Sequence, residues 1–232
     1  MLEKLKKEVL YANCELIKQG LVIFTWGNVS GINREKGVVA IKPSGVPYDK
    51  LQQNDIVLVD LDGCIIEGNL RPSSDTPTHL ELYKNFKGIS GICHTHSKFA
   101  TICAQLNRAI PCFGTTHADY FYGEIPVTEK LSAEELESYE ESIGKSIVEK
   151  FKSIDPMHVP GVLVSHHGPF TWGKSPLMSV ENATVLEYIA EMAFYCELTG
   201  YSKANKIDLC LLKKHFFRKH GKDAYYGQSK NI

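Results

Sequence analysis

Gly91-Ile92-Cys93-His94-Thr95-His96 runs from apolar residues into two histidines separated by a β-branched threonine. No helical period fits it, so it reads as a strand leaving a core. Residues two apart in a strand share a face. His94 and His96 therefore aim both imidazoles at one point, the spacing that a single Zn²⁺ or similar divalent ion requires of two ligands. The competing reading is a pair of half-buried histidines bonded to backbone, because short metal-like patterns often occur without a metal.

Two flanking stretches add donors. Upstream, Arg71-Pro72-Ser73-Ser74-Asp75-Thr76-Pro77-Thr78-His79 reads as a helix start: Thr76 as cap, Pro77 at the first position, then Leu80, Tyr83 and Phe86. Ser73 and Ser74 stand where unpaired N–H groups welcome an anion, and Asp75 either assists the cap or ligates a metal. Downstream, Ser165-His166-His167-Gly168 ends the apolar run Val159 to Val164 with a further imidazole. Three imidazoles and a carboxylate, with no cysteine in metal-finger spacing, suit a catalytic rather than a structural ion.

Further out, the pattern predicts a mixed protein with antiparallel strands. Leu2, Leu5, Val9, Ala12 and Leu16 recur at helical spacing and Gly20 supplies a stop. Thr25-Trp26-Gly27-Asn28-Val29-Ser30 is either a turn or a ligand loop, in which Gly27 admits close backbone approach and Asn28 supplies hydrogen bonds. Gly37 to Lys42 alternates as a strand and ends in Lys42-Pro43-Ser44-Gly45, a turn able to hold a phosphate although it has no Walker spacing. Leu61-Asp62-Gly63 joins Ile56–Asp60 to Cys64–Glu67 as a hairpin, which counts against a purely parallel sheet.

Beyond the His-Thr-His strand, Ser97 is expected to cap a helix reaching Leu106. Thr115 to Gly123 is dense in proton-exchanging groups, and Asp119 among its aromatics is expected to have a pKa tuned toward neutrality; the alternative is a loop aspartate satisfying backbone donors. Ser132 with Glu135 forms a capping box for a helix whose buried stripe is Leu136, Tyr139, Ile143, Ile147 and Phe151. Ser175-Pro176 opens a long helix ending at Gly200, and a last helix spans about Asp208 to His220. Its Lys213, Lys214, His215, Arg218 and Lys219 form either a solvated face or cations for an anionic ligand across a subunit boundary. His158 and His166 read as structural.

The 232 residues can bury one substantial core, and no Pro/Ser/Gly-rich linker divides them, so a single domain over 1–232 is expected. A formal charge of −1 with interspersed signs gives no case for nucleic acid or an anionic membrane as partner. Seven scattered cysteines suit a reducing compartment. Without a signal-peptide pattern or a membrane-length apolar run, the expected location is cytoplasmic.

Taken together, these blocks resemble the class II aldolase/adducin-head superfamily, and within it the sugar-phosphate 4-epimerases. The likeness runs from Met1 to about Gln228 through Thr25–Ser30, Ile41–Val46, Pro72–His79, His94–Ser97, Gly114–Gly123, His167–Phe170, Lys219–Gly221 and Ala224–Gln228. It implies a three-layer α/β/α fold with a largely antiparallel central sheet. It also implies a homotetramer with active sites between subunits, where the tail at about 222–232 docks.

Carried over by position, Asp75, His94, His96 and His167 would ligate Zn²⁺, with Mn²⁺ or Co²⁺ as alternatives. Gly27, Asn28, Lys42, Ser44, Gly45, Ser73 and Ser74 would bind substrate and phosphate. Asp119 and the adjacent subunit's Tyr226 would be the acid/base pair. The likeness implies interconversion of L-ribulose 5-phosphate and D-xylulose 5-phosphate in arabinose or ascorbate catabolism. A fuculose-phosphate-type aldolase and a metal-free adducin-like scaffold are the alternatives. Ser165-His166-His167 departs from the family's His-Ser-His, which leaves His166 as a rival ligand.

Overall fold

The computed structural model of the chain describes residues 1–199 and 206–226. Its centre is one seven-stranded sheet in the order β4-β3-β2-β1-β5-β7-β6, antiparallel at every pairing. The strands are β1 (Asn28–Asn33), β2 (Val38–Ile41), β3 (Val57–Asp60), β4 (Ile65–Glu67), β5 (Gly91–His94), β6 (Gly161–Leu163) and β7 (Pro169–Gly173). The hairpin read at Asp62-Gly63 joins β3 to β4, with Gly63 at φ +89°.

Side chains alternate across the sheet as period two requires. Val29 and Cys93 pack with α1 (Leu2–Lys18) and α6 (Pro176–Leu198). Ile32, Val39, Val57, Val59 and Ile92 belong to the largest core cluster with α2 (Thr76–Asn85) and α5 (Tyr139–Lys150). The result is the expected three-layer α/β/α arrangement. Gly91 has no substitute here, because a Cβ would lie 2.4 Å from the Ser175–Pro176 backbone where α6 begins.

Register places the functional loops together. Asn28 opposes His94, Ser30 opposes Ile41, and His94 opposes Phe170. The start of β1, the end of β2, the end of β5 and the start of β7 therefore share one end of the sheet. That brings Asn28, Lys42, His94 and His167 to one place, which the N-terminus of α2 also reaches.

Several local expectations are corrected. In α2, Asp75 is the N-cap residue but its carboxylate makes no capping bond, and Thr76, the first helical residue, donates to Ser73 O at 2.6 Å. Ser97 stands at the N-cap of α3 (Lys98–Gln105) without using its hydroxyl. The Glu187 carboxylate from α6 takes the Phe99 and Ala100 N–H groups instead, both at 2.9 Å. The Ser132–Glu135 box forms, but a 3-10 turn over Glu135–Ser138 follows and α5 starts only at Tyr139. Leu136 and Tyr139 are consequently exposed rather than part of the buried stripe.

The long helix begins at Pro176 as read, while its expected end at Gly200 lies outside the described residues. A short helix, α4 (Thr115–Ala118), precedes Asp119, and α7 (Leu209–His220) docks against it through Leu212. No described helix is long and apolar enough to cross a membrane.

Candidate active site

His94 closes β5, and His96 lies just past the strand. Their Nε2 atoms are 3.1 Å apart, and His167 Nε2, from the loop before β7, is also 3.1 Å from His94 Nε2. The three donors lie within 4.8 Å of one another. Three imidazole nitrogens converging this closely form a donor set that fits a divalent cation. Burial, and then the neighbouring imidazoles, lowers His96 to about 4 and His167 to about 3, which keeps both in the neutral, ligating form.

Ring orientation is fixed from behind. His94 Nδ1 donates to Pro169 O at 3.0 Å and its ring stacks on Phe170 at 4.2 Å. His166 turns away at φ +58°, with Nε2 against Asn107 Nδ2, so it is absent from the cluster and His167 holds the position the register assigns.

Asp75 sits over the same cleft but outside that group of three donors. Asn28 Nδ2 donates to Asp75 Oδ2 at 2.6 Å and to Ser73 Oγ at 3.0 Å. Burial acts to raise the Asp75 carboxyl, but His94, His79 and Asn28 outweigh it and hold it below the usual carboxylate range. Behind it, fully buried His79 bonds Ser30 Oγ through Nδ1 at 2.7 Å, and its Nε2 has no partner among the described residues.

Two loops pair beside the histidines. Ser44 N donates to Arg71 O at 2.9 Å and Ser73 N to Lys42 O at 3.0 Å. Lys42 is 1% exposed, its Nζ lies 4.7 Å from the centre of the Tyr48 ring, and desolvation lowers its ammonium to about 8. Gly27 is required at φ +73°, because a Cβ there would lie 2.8 Å from His94 O. Gly45, at φ +69°, faces open space.

The cleft so formed has a volume of about 450 Å³, and all seven predicted substrate residues and all four predicted ligands line it. Trp26, Tyr139 and Glu140 line it as well and were not in the predicted set. Tyr139 Oη lies 2.8 Å from His167 Nδ1. Placing the start of α5 at the capping box hid it, because only a helix beginning at Tyr139 turns that residue toward the cleft.

Asp119 and Tyr226 do not line this cleft. They meet instead around α7. Asp119 Oδ1 accepts from His215 Nδ1 at 3.0 Å and Arg218 Nε at 3.1 Å, and Oδ2 accepts from Arg218 Nη2 at 2.7 Å. Arg218 and Lys219 in turn stand over the exposed Tyr226 ring. The expectation of an Asp119 pKa near neutrality is overturned: burial acts upward, but Arg218, His215 and Lys219 prevail and hold the carboxyl below its ordinary value. Of the roughly four lone-pair sites of a carboxylate, three are taken by described residues.

A three-layer antiparallel fold with this histidine site defines the class: the chain belongs to the Class II Aldolase and Adducin N-terminal domain family, which matches residues 7–194. Among individual relatives, it is 52% identical over 229 residues to the L-ribulose-5-phosphate 4-epimerase UlaF of Salmonella paratyphi C (strain RKS4594), covering 98% of this chain and 100% of that one. Among solved structures, an L-fuculose 1-phosphate aldolase is 26% identical with a TM-score of 0.77, covering 91% of this chain and 94% of the other. YgbL of Klebsiella pneumoniae, described as a putative aldolase/epimerase/decarboxylase, shares the fold at 22% identity and TM-score 0.73, covering 91% and 97%.

Proposed function

We propose that this chain is a divalent-metal-dependent 4-epimerase interconverting L-ribulose 5-phosphate and D-xylulose 5-phosphate by retro-aldol cleavage and re-addition. The observation that carries the reading is the joining, in one cleft, of three converging imidazoles with a buried lysine and two serine-bearing loops. The near full-length identity to a protein named for that reaction supports it over the aldolase alternative. The converging ligands count against a metal-free scaffold.

The C4–H of a ketopentose is not adjacent to the carbonyl and is poorly acidic, so inversion by simple deprotonation is unfavourable. Cleavage avoids that step. A base removes the 4-hydroxyl proton, the C3–C4 electron pair passes to the ketose fragment, and C4 becomes the aldehyde of glycolaldehyde phosphate. Rotation of that aldehyde and re-addition at its opposite face invert C4, and a second group returns the proton to the oxygen.

His94, His96 and His167, completed by Asp75, would hold the cation, which supplies Lewis-acid stabilisation of charge on the ketose oxygens. Zn²⁺ is our assignment from the three-imidazole donor set. Lys42, Ser44, Ser73 and Ser74 retain the phosphate of the aldehyde fragment while its carbonyl turns. Asp119, ionised at neutral pH, and Tyr226 transfer the two protons. Because neither lines the cleft of its own chain, we infer that a neighbouring copy delivers both, in the homotetramer that the family likeness implies. Seven unpaired cysteines fit a reducing cytoplasm, and the family likeness supports a role there in arabinose or ascorbate catabolism.

Purified metal-loaded protein incubated with L-ribulose 5-phosphate is expected to produce D-xylulose 5-phosphate. Accumulation of free dihydroxyacetone, or of dihydroxyacetone phosphate from a deoxyketose 1-phosphate, without epimer would assign an aldolase instead.

The phosphate role of Lys42 predicts a pH limb. Docking a phosphate dianion requires the ammonium, which predominates below pH 8 and is lost as pH rises through about 8. KM should therefore climb above that pH, by up to about tenfold per unit where binding needs the charge. Lys42→Met should raise KM throughout and flatten the limb. A KM independent of pH from 7 to 9.5 in the native enzyme would remove Lys42 from phosphate binding.

A further inference from the structure

We propose that Tyr139 is the positioning residue of His167: its phenol sets the ring plane and tautomer in which His167 presents Nε2 to a divalent cation. The inference rests on the metal reading above. Each imidazole needs its outward nitrogen held if Nε2 is to stay aimed. His94 is held by a backbone carbonyl and by its stack on Phe170.

His167 has no such backing from its own loop. It follows the left-handed His166 and is only half-buried. What meets its Nδ1 is Tyr139 Oη at 2.8 Å, with the two rings 7° from parallel at 5.9 Å between centroids. With Nε2 committed to a cation, Nδ1–H donates and the phenol oxygen accepts.

The mount is rigid. Tyr139 is the first residue of α5, whose Ile143 and Ile147 are buried in the main core. One residue on, Glu140 O accepts from Thr78 Oγ1 of α2 at 2.5 Å. The phenol thus ties the loop before β7 to the layer formed by α2 and α5, and the first turn of α5 contributes to holding the metal.

Tyr139→Phe, which keeps the ring and the stack, tests the hydroxyl alone, and Tyr139→Ala tests both. The Co²⁺-loaded proteins are compared by visible absorption and by the rate at which excess chelator removes Co²⁺. Tyr139→Phe should release Co²⁺ about ten- to a hundredfold faster, the usual cost of losing an outer-shell partner, with an altered Co²⁺ spectrum and little change in KM. Tyr139→Ala should release it faster still; if that variant fails to fold, the Phe variant alone decides. A Phe variant with native spectrum and release rate overturns the positioning role and leaves the metal site standing. A native protein that binds no Co²⁺ overturns both.

Discussion

Replacing His96 with asparagine is expected to strip the bound metal and lower turnover by about three orders of magnitude. The size follows from the reaction proposed: Lewis-acid stabilisation supplies several kcal/mol, and a loss of about 4 kcal/mol corresponds to about a thousandfold in rate. His96 is the ligand to test because it is the exposed member of the three, past the end of β5, while His94 is buried against Phe170. A change at His94 would mix metal loss with damage to the core. Elemental analysis of the purified variant, turnover with L-ribulose 5-phosphate and the thermal midpoint separate the two effects. The midpoint without metal should match that of the metal-free native protein. A His96→Asn enzyme with full metal and native turnover would disprove the three-histidine site.

What the sequence made legible was local or periodic. Alternation over Gly37–Lys42 named β2, Asp62-Gly63 named the hairpin, and the His-x-His spacing named two ligands whose Nε2 atoms do lie together, whereas β1 was read only as a turn or ligand loop. Two of the misses share a physical cause, which is that the deciding partner is distant in sequence. Ser97 looks like a cap, yet Glu187 from α6 supplies the acceptors. Asp119 among Tyr120, Phe121 and Tyr122 looks like a desolvated carboxyl, yet Arg218 and His215 fold back from α7 to claim it. Tyr139 matches a buried stripe by spacing, yet the 3-10 turn before it resets the phase and leaves it in the cleft. The Ser97 and Asp119 errors came from trusting a nearest-neighbour environment where a long-range contact sets the energy, and the Tyr139 error from a local turn that shifts the helix phase.

Asp119→Asn should retain metal and lose on the order of a hundredfold or more in rate, the scale of a lost general acid or base. Metal should stay because Asp119 does not line the cleft of the histidines. The fold should stay because an amide oxygen still accepts from the half-buried Arg218. The separation of the two clusters makes a stronger prediction possible. If one copy supplies the metal cleft and the next supplies Asp119 with Tyr226, then Asp119→Asn and His96→Asn chains, each inactive alone, should complement when co-expressed. Random assembly in a closed symmetric ring pairs an intact cleft with an intact Asp119 at about a quarter of the sites. Activity should return to about that fraction of native, and only in the mixed species isolated by differential tagging. A mixed oligomer no more active than its parents would mean that α7 closes over the cleft of its own chain, and the intersubunit assignment of Asp119 and Tyr226 would fall.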